Sequence, residues 1–243
     1  MTLPSGWAIP LVIKQRLGQK EAGQQRAMVA DNHLLLILHK VPKSGSRKRT
    51  GVFFWRNPNG DWQYSGGGNG LEKLRSHVKA YSEAEQKLTD QYGLASTSVD
   101  YFHLLENIGP LRRATENLQA TLQAAREAIA DDLNIIDLRD ASIELTRTLD
   151  LLYADAKNAL DYTLAKQAEE QALLSHKSVQ TAQRLNILAA VFLPLTALSS
   201  LFGMNLRSGL ENQSGTLFWL VLVGGIGLGV ITRDWILRGK VRS

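Results

Sequence analysis

The chain of 243 residues contains no cysteine, only six prolines and only five histidines. Without cysteine, disulfide bonds and thiolate metal sites are excluded. His33 and His39 lie on one face of a predicted strand, but no third ligand follows at a spacing typical of a metal site. No serine or acidic residue stands in a nucleophile motif. The sequence therefore predicts that the protein is not an enzyme.

Charged residues are absent from two long stretches near the C-terminus. From Leu185 to Leu206, and again from Asn212 to Thr232, no side chain is ionisable. A helix needs about 20 apolar residues to cross the hydrocarbon core of a bilayer. The two stretches predict transmembrane helices at about 185–206 and 214–232, joined by an outer loop at 206–213. In the second helix, Gly225 and Gly229 have the GxxxG spacing that lets helices approach closely.

The distribution of lysine and arginine predicts how these helices are oriented. Basic residues precede the first helix and follow the second, at Lys177, Arg184, Arg233, Arg238, Lys240 and Arg242. The loop between the helices holds only Arg207 and Glu211. Because basic residues are enriched on the cytoplasmic side, we expect a multi-pass protein of the inner (plasma) membrane with both termini in the cytoplasm. The first ten residues lack the pattern of a signal peptide.

Residues 1–70 are predicted to form a small cytosolic β-rich domain. The segments Trp7–Ile13, Ala27–Val41 and Gly51–Ser65 are rich in β-branched and aromatic residues. Turn signals at 31–32 and 57–60 divide the second and third segments into hairpins.

Two stretches of this region resemble binding motifs, but their residues do not complete either motif. The basic loop from Lys43 to Arg49 could contact nucleic acid or lipid head groups, yet it has no interleaved aromatic residues. We therefore interpret it as a solvated loop and expect no nucleic-acid partner. The glycine-rich stretch at 65–70 lacks the pattern of a phosphate-binding loop and is interpreted as a flexible joint.

Residues 71–184 are predicted to form a cytosolic helical stalk. Apolar residues recur at helical spacing from Leu71 to Tyr92 and from Leu111 to Ile129, and Gly109-Pro110 is expected to kink or restart the second helix. No glycine or proline occurs from Asp137 to Leu193. This predicts one helix that continues into the first transmembrane helix, on the order of 100 Å long. Since such a helix is unstable alone in water, we expect copies of the chain to form a symmetric bundle.

One face of the predicted first transmembrane helix carries small or apolar residues with isolated polar groups. Helical spacing places these residues on it: Thr196, Leu193, Ala189 and Leu185, with Asn186 at the edge. A face of this kind is typical of a dewetting gate in a pore or of a closely packed helix interface, and the pattern alone slightly favours the interface.

The sequence FLPLTALSSLFGMN, from Phe192 to Asn205, is followed by a short loop and a second, terminal span. It resembles the signature of the CorA family of divalent cation channels, over about the last 60 residues and loosely over the long helix before them. The resemblance implies an α+β membrane protein that forms a homopentameric funnel in the lipid bilayer. The first helices would line the pore, with Thr196 as a polar ring. Gly203, Met204 and Asn205 would form its selectivity mouth.

The resemblance implies Mg²⁺, or Zn²⁺, Co²⁺ or Ni²⁺, as the transported ion and no cofactor. Mg²⁺ gives up its water reluctantly, so a ring of Asn205 amides can concentrate the hydrated ion without stripping it. As a lone residue, Asn205 could instead be a helix cap. Five copies of Arg207 near the mouth would repel cations unless they point away or pair with Glu211. Arg207 makes the chain as similar to the zinc-transporting ZntB branch as to the magnesium branch, and a non-conducting membrane scaffold stays an alternative.

Four acidic residues, Asp131, Asp132, Asp137 and Asp140, precede or begin the predicted long helix. Carboxylates are ligands that Mg²⁺ accepts, so they form a candidate regulatory site at a subunit boundary. Acidic residues on exposed helix faces are more often simply solvated.

Overall fold

The structure is a computed structural model that describes residues 3–17, 23–43, 49–203 and 216–238. It contains two compact units, residues 1–165 and 166–243. The finer division of the chain at residues 70 and 184 stays a prediction. In chain order the elements are α1 (Leu11–Gln15), β1 (Arg26–Ala30), β2 (His33–His39), β3 (Gly51–Arg56), β4 (Trp62–Tyr64), α2 (Gly70–Leu94), α3 (Ser98–Ala128), α4 (Leu133–Gly203) and α5 (Thr216–Arg238).

The four strands form one antiparallel sheet in the order β1-β2-β3-β4. Asp31 and Asn32 join β1 to β2 with φ of 51° and 60°, the left-handed values that a tight two-residue hairpin requires. At the turn between β3 and β4, the Asp61 amide donates to Asn57 Oδ1 at 2.9 Å. The predicted small N-terminal sheet and both of its hairpins are confirmed.

The prediction of a strand at Trp7–Ile13 is wrong. The chain turns into the short helix α1 directly after Pro10, which has a φ of −51° and no backbone N–H to donate to a sheet. Trp7, Ile9 and Ile13 are nevertheless buried, because this segment covers one face of the sheet. The apolar pattern indicated burial only in part, since Leu11 and Val12 are exposed, and Pro10 determines the backbone conformation.

The other face of the sheet packs on the long helices. β2 is buried on both sides, and its alternate residues Leu34, Leu36 and Leu38 enter the core that contains Leu74 and Tyr81 of α2. The Tyr81 hydroxyl donates to the His39 carbonyl at 2.8 Å, which ties α2 to the end of β2. The helical spacing predicted for α2 therefore identifies its buried face.

The interpretation of residues 65–70 as a flexible joint is wrong. The stretch is a tight turn in which Gly67 and Gly68 have φ of 81° and 86°. The Asn69 side chain accepts from the amides of Leu71 and Glu72 and caps α2. Gly70 approaches β4 so closely that a Cβ would lie 2.4 Å from backbone atoms of Trp62 and Gln63. Two left-handed positions and one close approach explain three of the four glycines.

Helix α3 begins with a capping box between Thr97 and Asp100. It continues through Pro110, so the helix does not restart at this residue, and the alternative expectation of a kink stays a prediction. The flanking residues Ile108 and Leu111 are buried in the core. Packing of this kind outweighs the cost of a proline inside a helix, which is about 3 kcal/mol.

A half-buried histidine, His77, connects the sheet to α2. The His77 ring lies 5.7 Å from the Phe54 ring and 5.6 Å from the Tyr81 ring, measured between centroids. Its Nε2 atom is buried without a hydrogen-bond partner. Burial lowers the pKa of His77 from 6.5 to about 4, although the neighbouring His39 backbone acts in the opposite direction. His77 is therefore neutral near pH 7.

We expect acid to destabilise the N-terminal unit through His77. Between pH 6.5 and about 4, the unfolded chain binds a proton at this position that the folded chain excludes. The free energy of unfolding should therefore fall as the pH is lowered through this range, by about 3 kcal/mol from His77. Urea unfolding at several pH values measures this loss. The H77F variant should lose less stability on acidification, and an unchanged pH dependence would contradict the assignment.

Candidate functional site

The two helices of the C-terminal unit approach each other at a glycine. A Cβ on Gly229 of α5 would lie 3.1 Å from the Cα and 3.3 Å from the carbonyl oxygen of Val191 in α4. Gly225, one turn earlier, is also buried. The close approach predicted from the GxxxG spacing is confirmed at Gly229.

Replacing Gly229 by leucine should weaken this contact. The side chain would have to displace the backbone of Val191, and overpacking of this kind typically costs about 1–3 kcal/mol. We expect a melting temperature several degrees lower for full-length G229L purified in detergent. G227L is the matched control, because a Cβ at Gly227 meets nothing within 4 Å. Equal melting temperatures for the two variants would contradict a packing role for Gly229.

The face of α4 that was predicted to line a pore is exposed. Ile187, Val191 and Pro194 are half-buried on the side of α5. On the opposite side lie all five predicted residues, within about 100° of one another around the helix; they are Leu185, Asn186, Ala189, Leu193 and Thr196. The structure therefore brings these residues together, and their role in lining a pore stays a prediction.

Thr196 is the hydroxyl-bearing residue of this predicted set. Its Oγ1 donates to the Phe192 carbonyl at 2.7 Å. Bonds of this kind turn the hydroxyl proton toward the helix. Pro194, within the same turn, has no N–H to donate. The lone pairs of the hydroxyl still accept hydrogen bonds. Thr196 can thus accept a hydrogen bond from the water shell of a cation.

Of the predicted selectivity mouth, the structure describes only Gly203, which belongs to α4. Met204, Asn205, Arg207 and Glu211 are outside the described residues. In the part of the chain that the structure describes, no helix has the length and apolarity needed to cross a membrane. The predicted spans 185–206 and 214–232 extend beyond that part. The mouth and the spans stay predictions.

Asp132 has a structural role that the sequence interpretation missed. Its Oδ2 accepts from Arg56 Nε at 2.6 Å, and its Oδ1 accepts from the Asn134 amide at 3.0 Å. It is the residue immediately before α4, where an aspartate commonly caps a helix. Arg75 of α2 also donates to Asn134 Oδ1 at 2.8 Å. These contacts hold the first turn of α4 against the sheet and α2.

The other three acidic residues of the candidate regulatory site, Asp131, Asp137 and Asp140, are exposed. Asp140 pairs with Arg139 at 3.2 Å. Among the described residues, no group of three or more His, Asp or Glu side chains is arranged to hold a metal ion. A site that forms only between subunits stays a prediction.

Comparison with known proteins gives these features a context. Residues 70–238 match the family described as CorA-like Mg²⁺ transporter protein. The full-length CmaX protein has a similar structure, with 15% sequence identity, a TM-score of 0.52, and coverage of 97% of this chain and 82% of that chain. The CorA magnesium transporter from Methanocaldococcus jannaschii is 17% identical, with a TM-score of 0.43 and coverage of 93% and 82%.

The likeness to CmaX shows a shared fold of a small sheet followed by long helices. No curated protein sequence matches the chain. The family match extends over well more than half of the chain and includes α2, α3, α4 and α5. The protein therefore belongs to the CorA-like Mg²⁺ transporter family.

Proposed function

We propose that the protein is a divalent cation channel of the inner membrane, formed by a homopentamer whose α4 helices surround the ion path. The observation that carries this proposal is the family match over residues 70–238. In the sequence, Gly203-Met204-Asn205 lies at the end of the predicted first span, which agrees with a selectivity mouth at one end of that path. Both termini would then be cytoplasmic.

Exposed apolar side chains support an assembly in a lipid bilayer. In α4, Leu185 and Leu193 are 61% and 66% exposed in the single chain. In α5, Trp219, Leu220 and Ile231 are 63%, 71% and 67% exposed. Water disfavours so much apolar surface on two neighbouring helices, whereas lipid and further copies of the chain would cover it.

The mouth would select ions by their hydration. Asn205 offers an amide oxygen that accepts hydrogen bonds from the water shell of Mg²⁺, and the Thr196 hydroxyl offers a second such acceptor further along the helix. Neither group carries a charge that would trap the ion. No cofactor is needed, because the path supplies only hydrogen bonds and shape.

We expect the N205A variant to lose divalent cation flux. Alanine removes the acceptor that would hold the hydrated ion at the mouth, so Mg²⁺ entry into proteoliposomes should fall at least about tenfold. A Mg²⁺-sensitive dye in the lumen measures the flux. N212A, in the predicted outer loop, should stay within about twofold of the wild type. Equal fluxes for the wild type and N205A, at equal amounts of folded protein, would contradict a selectivity role for Asn205.

A Zn²⁺ transporter similar to ZntB is the second candidate, because with Arg207 the chain resembles the zinc branch as much as the magnesium branch. An arginine two residues after Asn205 weakens the electrostatic attraction of the mouth for either divalent cation. The same proteoliposomes loaded with a Zn²⁺-sensitive dye distinguish the two candidates. Flux of Zn²⁺ without flux of Mg²⁺ would select the second. A folded oligomer without flux of either ion would indicate a non-conducting scaffold.

A further inference from the structure

Three large apolar side chains are exposed where the chain turns from α2 into α3. Leu94, Val99 and Phe102 are each more than half exposed. Leu94 is the last residue of α2. Val99 and Phe102 lie one turn apart on α3, on the side of this helix that faces away from the core. Packing within the N-terminal unit therefore does not account for these three residues.

A groove of about 350 Å³ opens beside them, between the end of α2 and the start of α3. Its lining includes the apolar side chains of Leu94 and Leu104 and the polar side chains of Asp100 and His103. The His103 ring lies 6.3 Å from the Phe102 ring, measured between centroids. The groove and the exposed apolar side chains thus form one continuous surface, which we call the helical tip.

Hydrogen bonds hold the backbone of the helical tip in place. Asp100 Oδ2 accepts from the Thr97 amide at 2.9 Å and from the Thr97 hydroxyl at 2.7 Å. The Tyr101 hydroxyl donates to the Ala95 carbonyl at 3.0 Å. The bonds from Thr97 also lower the pKa of Asp100, so this carboxylate is charged at neutral pH. A surface fixed in this way loses little conformational entropy when it binds a partner.

The charge of the helical tip has one sign. From residue 88 to residue 111 the chain carries Asp90, Asp100 and Glu106, all exposed, and neither lysine nor arginine. The nearest basic residues along the two helices, Lys87 and Arg112, lie about two turns or more from the exposed apolar side chains. Such a surface repels nucleic acid and anionic lipid and attracts a cationic partner.

We propose that the helical tip is a docking surface for a partner protein that presents a basic amphipathic segment. The groove takes an apolar side chain of this segment, and Leu94 and Phe102 contact its apolar face. Asp90 and Glu106 attract the lysines or arginines beside that face. Contact between the tips of two copies of the chain is disfavoured, because their charges are alike. The inference does not depend on ion flux.

A synthetic amphipathic peptide of leucine and lysine, about 14 residues long, serves as the probe. Fluorescence anisotropy measures its binding to the full-length protein in phosphatidylcholine nanodiscs, with empty nanodiscs as the blank. We expect saturable binding that weakens as salt is added. L94S/F102S should weaken binding at least about tenfold, and D90N/E106Q about threefold with a smaller dependence on salt.

The N-terminal unit offers a matched control at α1. Leu11 and Val12 are also exposed apolar neighbours, but the charged residues next to them are the basic Lys14 and Arg16. L11S/V12S should therefore bind the lysine peptide within about twofold of the wild type. All of the replaced side chains are exposed, so equal melting temperatures verify that the variants are folded. Unchanged affinity in folded L94S/F102S would overturn the docking surface. Equal binding of a matched leucine and glutamate peptide would overturn it as well.

The absence of native cysteine allows other occupants of the helical tip to be tested with V99C. We expect this thiol to react fully with a maleimide in the nanodisc-bound protein and to be protected when the lysine peptide is bound. A thiol that does not react without peptide would show that lipid or another copy of the chain covers the tip. A thiol that reacts equally fast with saturating peptide would place the peptide elsewhere. Either result would contradict the proposal.

Discussion

Replacing Asp132 by alanine should lower the free energy of unfolding of the N-terminal unit by about 3–5 kcal/mol. The side chains of Arg56 and Asp132 are only 15% and 7% exposed, so the substitution leaves a largely buried guanidinium without its carboxylate. It also removes the cap of α4, which contributes about 1 kcal/mol. Urea unfolding followed by tryptophan fluorescence measures the loss, because Trp7, Trp55 and Trp62 lie in or against the sheet.

Two controls identify the cause of this loss. D140A removes an exposed ion pair with Arg139, and such pairs contribute about 0–1 kcal/mol. The double variant R56M/D132S removes both charges and keeps a hydroxyl that caps α4, so it should recover most of the stability. If D132A and D140A lose the same stability, the ion pair with Arg56 does not anchor the helix.

Replacing Gly70 by alanine should be comparably severe, with a loss of about 3 kcal/mol or more. A Cβ at this position would lie 2.4 Å from the backbone nitrogen of Gln63 and from the carbonyl carbon and oxygen of Trp62. Backbone atoms cannot rotate away as a flexible side chain does, so β4 or the start of α2 must move. Thermal unfolding measures the effect, and we expect a clearly lower melting temperature.

Gly93 provides the matched control, because it lies near the other end of the same helix. A Cβ there meets nothing within 4 Å, and alanine favours a helix by about 0.5–1 kcal/mol over glycine. G93A should therefore leave the melting temperature unchanged or raise it. A G70A variant as stable as the wild type would show that β4 yields without cost.

Periodic patterns allowed the helices and hairpins to be predicted from the sequence. The apolar spacing in α2 and the turn at Asp31-Asn32 are determined by residues close together in the sequence. Both are found in the structure. The conformation of Trp7–Ile13 was mispredicted, since burial against a sheet selects apolar residues whether the segment is a strand or not. Residues 65–70 were misinterpreted because the contact of Gly70 with β4 is not visible in the glycine-rich composition.

The candidate site could be predicted from the sequence where it depends on helical spacing, but not where it depends on contacts between distant residues. Helical spacing alone placed Leu185, Ala189 and Thr196 on one face, and the structure shows them together and exposed. The role of Asp132 depends on Arg56, which is 76 residues away in the sequence, so pattern analysis could not find the pair. The signal that could have suggested its capping role is an aspartate just before an apolar helical repeat.

Flux through the wild-type protein tests the central claim most directly. The full-length protein is reconstituted in liposomes, and the entry of Mg²⁺ and of Zn²⁺ is followed with lumenal dyes and compared with that in protein-free liposomes. The account predicts entry of at least one of the two ions, saturating as its concentration rises. A folded, oligomeric protein that passes neither ion faster than protein-free liposomes would contradict it.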